Sequence, residues 1–225
     1  MEGTENLREV RVWDAPTRLF HWLLALLVCV SFATGKLGGN VMKWHLYSGY
    51  GILALLGFRL AWGFAGGTDA RFSHFLRGPG AILDYARLLF RRAPSHIPGH
   101  NPLGGIMVVV MLLALTLQAA SGLFSNDDIA TEGPLAARIG KDLSDRITGI
   151  HKANSTGVLA LVILHLGAIL FYLAYKGENL VSPMLTGVKR IPGPWVSGPA
   201  VFPSPFRALA IAALSVVGVY LLLGS

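Results

Sequence analysis

Five runs of about twenty mostly apolar residues constrain this chain more than anything else in it. They cover roughly residues 17–35, 44–64, 103–124, 151–175 and 206–223. At about 1.5 Å rise per residue, a helix of that length crosses most or all of a hydrocarbon core of about 30 Å. Helices are the form expected, because lipid offers no partner to an unpaired backbone group. Composition agrees: 53% of the residues are hydrophobic and 14% charged, where a soluble domain carries about a quarter charged. The expectation is an all-α integral membrane protein in which residues 1–225 form a single membrane domain.

The connections sort into two sides. One side holds Arg8, Arg11, Arg18, Arg71, Arg77, Arg87, Arg91, Arg92, Lys176, Lys189, Arg190 and Arg207. The other holds Lys36, Lys43, Arg138, Lys141, Arg146 and Lys152. The positive-inside bias then places the N-terminus in the cytoplasm and the C-terminus outside. The net charge of +7 is read as this topology signal, not as a nucleic-acid surface. Trp13 is expected at the membrane interface. PGAILDYARLLFRR predicts an amphipathic surface helix over about residues 79–92, with apolar residues at helical spacing and a basic end. SPMLTGVKRIPGPWVSGPAVFPSP, rich in Pro and Gly, predicts irregular surface chain. Cys29 excludes an internal disulfide and is expected to be a small packing residue; no CxxCH offers covalent haem attachment. The first run lacks a small-residue cleavage site and is expected to remain a span.

Histidine placement carries the chemistry. His151 and His165 are fourteen residues apart on one predicted helix. Fourteen steps of about 100° fall about 40° short of four turns, so both imidazoles leave one face, about 21 Å apart along the axis. His45 opens the second span at the depth of His151, and His21 lies in the first span toward the side of His165. Two imidazoles from facing helices are the axial set of a six-coordinate b-type haem. A single His in a span more often hydrogen-bonds a neighbouring helix. Two on one stripe, each with a depth-matched partner, point to ligation. Zinc is the rival, but two His without Cys or carboxylate leave a four-coordinate site incomplete. The expected set is two non-covalent haem b groups, His45 with His151 and His21 with His165.

Other residues fit that frame. Arg59 is fourteen residues after His45 and, as an ionisable residue in a span, is a functional candidate. It is expected to pair with a propionate of the inner haem, with Arg18 assisting. Lys152, with Lys43 and Arg146, is a candidate for the outer propionates. Gly35, fourteen after His21, is expected to leave room for the outer macrocycle, with Gly49 and Gly157 as further candidates. His74, His96 and His100 are read as surface residues.

VWDAPTRLFHWLLALL, HLYSGYGILALLGFRLAWGF followed by ARFSHFL, HNPLGG, and HKANSTGVLALVILH together resemble the bacterial di-haem b-type cytochromes. That family includes prokaryotic cytochrome b561 and the b-type subunit of nickel–iron hydrogenases. The resemblance covers most of residues 10–175. It implies a four-helix transmembrane bundle holding two b haems, with the ligands carried over to His21, His45, His151 and His165. The fifth, C-terminal transmembrane helix is closer to the hydrogenase-type subunits.

Two haems at opposite depths make an electron path. The leading expectation is a di-haem cytochrome in the bacterial inner membrane. It would carry electrons between the quinone pool and an extracytoplasmic partner, a c-type cytochrome or a hydrogenase-like dehydrogenase. The alternative is a superoxide oxidase passing electrons to quinone, steered by a basic funnel at Lys43, Lys152 and Arg146. Asp142 and Asp145 beside those residues weaken such a field.

Overall fold

The computed structural model describes residues 7–95, 97–129, 131–192 and 200–224. Among the described residues, five helices are long and apolar enough to cross a membrane: α1 (Ala15–Leu37), α2 (Met42–Ala65), α5 (Pro102–Gly122), α6 (Lys141–Ala174) and α8 (Pro205–Gly224). Three short helices, α3 (Phe72–Phe75), α4 (Pro79–Arg87) and α7 (Val181–Thr186), and two strands, β1 (Leu7–Arg11) and β2 (Val188–Pro192), complete the main elements. The chain divides into two compact units. One comprises Met1–Leu19, Ala61–Val109 and Ile163–Ala208; the other comprises Phe20–Leu60, Val110–Val162 and Leu209–Ser225.

The first unit is held by polar side chains. Asp14 caps α1, accepting the Thr17 amide at 2.8 Å, a contact typically worth about 1 kcal/mol. Its other oxygen accepts from Trp62 Nε1 and the Gly67 amide, both at 3.2 Å. β1 and β2 pair antiparallel, Leu7 opposite Pro192 and Arg11 opposite Val188. The stretch expected to be irregular therefore contains both α7 and β2, because the N-terminal strand supplies the backbone partners that composition cannot reveal. Residues 193–199 of that stretch lie outside the described residues.

Two further expectations change here. The surface helix predicted over 79–92 ends at Arg87. Beyond it the chain continues in tight turns, and the carbonyls of Leu89 and Arg91 accept from Lys176 Nζ at 3.2 and 2.9 Å. Trp13 is buried rather than interfacial, its ring edge-on to His100 at 4.7 Å.

The second unit is built from close helix approaches. Gly38 and Gly39, both at positive φ, turn the chain between α1 and α2. A Cβ at Gly51 would lie 2.8 Å from Leu27 Cδ1, and one at Gly57 would lie 3.5 Å from Ser215. Small residues at such contacts let helices pack where no hydrophobic force drives them together. Leu26, Leu113 and Leu214 are exposed on the outer faces, as lipid-facing side chains are. Cys29 is exposed as well, so it is not the packing residue expected.

α6 begins ten residues before the predicted span. Ser144 and Thr148 on that extension are buried. Ser144 Oγ donates to the Phe124 carbonyl at 2.7 Å, and Thr148 Oγ1 accepts the Asn126 amide at 3.0 Å. The helix is continuous through this polar sequence, and its hydroxyls tie it to the preceding loop.

Candidate haem site

His45 sits in the first turn of α2, and His151 sits on α6 after the polar extension. Both belong to the second unit, and their rings face each other with centroids 6.1 Å apart and planes 87° apart. Two metal–imidazole bonds of about 2 Å each, plus about 1.1 Å from each bonded nitrogen to its ring centre, sum to about 6 Å. The observed separation of 6.1 Å is compatible with two imidazoles on one ion.

The hydrogen bonds select the right nitrogens. His45 Nδ1 donates to the Ser31 carbonyl at 2.8 Å, with Ser31 Oγ at 3.2 Å. His151 Nδ1 donates to the Gln118 carbonyl at 3.0 Å, with Ser121 Oγ at 3.1 Å. A carbonyl only accepts, so each neutral ring carries its proton on Nδ1 and keeps the Nε2 lone pair for a metal.

Two glycines set the rings. A Cβ at Gly35 would lie 2.9 Å from His45 Nδ1, and one at Gly122 would lie 3.1 Å from His151 Cε1. Gly35 therefore makes room for an imidazole, where the sequence suggested room for a macrocycle. Gly49 lines the cleft with both histidines, and a Cβ there meets nothing within 4 Å. Among the described residues no three His, Cys, Asp or Glu side chains gather as a metal site. Two facing imidazoles with no further protein donors suit an iron whose remaining donors come from a porphyrin.

The other expected residues are distributed as follows. His21 is on α1, its ring edge-on to Trp22 at 5.1 Å, and belongs to the second unit. His165 is on α6 and belongs to the first. Arg59 is 3% exposed, deep in α2. The Arg18 guanidinium donates to the Leu185 carbonyl near the end of α7. Lys152 is exposed beside His151. His74 is exposed and 3.5 Å from Asp69. His100, read as a surface residue, is half-buried and packs against Trp13 and Phe75, each at 4.7 Å. His96 lies outside the described residues.

Residues 12–187 match the family model for prokaryotic cytochrome b561. The chain belongs to that family. No curated protein and no solved structure matches it. Membership of the cytochrome b561 family implies b-type haem and electron transfer in a multi-pass helical membrane protein. Sequence reading missed Ser31, Gln118, Ser121 and Asn154, all near this pair. The available signal was Gln118, an amide in a span that carries no charge and where polar groups are costly.

Proposed function

We propose that the chain is a di-haem member of the family, with His45 and His151 as axial ligands of the outer haem and His21 and His165 of the inner one. The facing geometry of His45 and His151, with both Nδ1 atoms on backbone carbonyls, carries the reading. Bound haem supplies reversible one-electron chemistry. The residues hold it in place: rigid helices fix the imidazoles, and the carbonyls of Ser31 and Gln118 fix their tautomers. Arg59, with Arg18, supplies positive charge for the inner propionates, and Lys152 for the outer ones.

The function that follows is electron transfer across the bacterial inner membrane, between the quinone pool and an extracytoplasmic redox protein. That partner is a c-type cytochrome or a hydrogenase-like dehydrogenase. The N-terminus is cytoplasmic and the C-terminus outside, from the distribution of Lys and Arg.

The test is haem stoichiometry on the purified chain by pyridine haemochromogen. Two b haems per chain are expected, with one lost in His151→Ala and one in His165→Ala. A wild-type ratio of one removes the inner pair, and a full complement in His151→Ala removes the outer one. Quinol should reduce the haem of the pure protein; its failure to do so refutes direct quinone coupling.

A further inference from the structure

We propose that Gln118, held by Asn154, is the positioning residue that fixes the ring plane of His151 and raises the potential of the haem bound there. The proposal rests on the reading of His151 as an axial ligand. Gln118 reaches His151 twice. Its carbonyl takes the Nδ1 proton at 3.0 Å, and its side-chain nitrogen is 3.2 Å from Nδ1 and 3.0 Å from Nε2. A nitrogen so nearly equidistant from both lies beside the ring, not along the Nε2 lone pair. The approach of an iron is left clear while rotation of the ring is opposed.

Asn154 fixes which end of the amide faces the ring. Its Nδ2 donates to Gln118 Oε1 at 2.7 Å and to the Ala114 carbonyl at 2.9 Å. With Oε1 committed, Gln118 presents its NH2 to the imidazole; a flipped amide would set two donors against each other. Asn154 follows His151 by three residues, so both leave the same face of α6. An N–H donor beside the ring draws electron density from the imidazole and weakens its donation to iron, which favours the ferrous state. This opposes the carbonyl at Nδ1, which makes the ligand more basic.

The experiment compares holoprotein carrying Gln118→Leu, Asn154→Ala and both, by redox titration and by EPR of the low-spin ferric haems. The EPR signal reports the angle between axial imidazole planes, which a role confined to helix packing would not move. Gln118→Leu keeps the Nδ1 acceptor, since that is backbone. It should retain both haems, lower the potential of one haem only and shift that haem's EPR signal. Asn154→Ala should shift the same haem in the same direction by less, and the double variant should match Gln118→Leu alone. Unchanged potentials and spectra in Gln118→Leu overturn the proposal, as does loss of haem from both single variants, which would assign the pair to packing. His151→Ala separates the two readings: if it keeps its full haem complement, the ligand assignment has failed. If it loses haem while Gln118→Leu behaves as wild type, only the role of Gln118 has.

Discussion

Gly35 and Glu178 are each decided by their immediate surroundings. The close approach of His45 to Gly35 leaves no room for a branched side chain. Overpacking of this kind costs about 1–3 kcal/mol, and Gly35→Val should therefore lose about half of the haem, read by the haem-to-protein ratio. Glu178 and Lys189 form a buried pair at 2.6 Å. Burial alone would raise the Glu178 pKa, but Lys189 and the hydrogen bonds from Ser95 outweigh it and hold the carboxyl below its ordinary value. The unfolded chain then binds this proton more tightly than the folded one. The stabilisation is complete above the ordinary carboxylate pKa and is lost as pH falls through the lowered folded value. Glu178→Gln leaves Lys189 buried without its counter-charge and should cost about 3 kcal/mol at neutral pH. Thermal melts of the detergent-solubilised protein should show that loss shrinking as the pH is lowered.

At the scale of elements, the extension of α6 was hidden because its sequence is polar. Apolar run length locates a span, but backbone hydrogen bonds carry the helix on through polar residues whose hydroxyls bond the preceding loop. Ser144 and Thr148 find them in Phe124 and Asn126 of the preceding loop. Thr148→Val removes the acceptor of the half-buried Asn126 amide, a lost hydrogen bond worth about 1 kcal/mol. Faster hydrogen exchange at that loop, with haem content unchanged, is the expected result. The strand pair β1 and β2 was invisible for a related reason. Each strand is short, and its partner lies some 180 residues away in sequence, so no local pattern announces it.

For the whole molecule, the proposed orientation rests on charge rather than on packing. Lys and Arg gather beside the N-terminus, in the second connection and after the fourth span. A phosphatase that works only outside the cytoplasm should be active when fused after Gly224 and inactive when fused after Arg92. The reverse pattern would invert the assignment of sides and with it the labels inner and outer on the two proposed histidine pairs.

The sequence by itself determined the five spans, the family resemblance and the four candidate ligands. Apolar length and a fourteen-residue helical step are properties of one segment at a time, so they are legible without a partner. The tertiary structure alone decided that the rings of His45 and His151 meet, and which nitrogen each presents. It also decided that Gly35 faces an imidazole, that Trp13 is buried with His100 packed against it, and that Gln118 and Asn154 attend His151. The contacts of His45, His151, Gly35, Gln118 and Asn154 depend on the rotation of one helix about its axis relative to its neighbour, and the packing of His100 on Trp13 depends on where two connecting segments meet. Rotation is set by close contacts between residues far apart in the chain, and no periodicity within either helix encodes it.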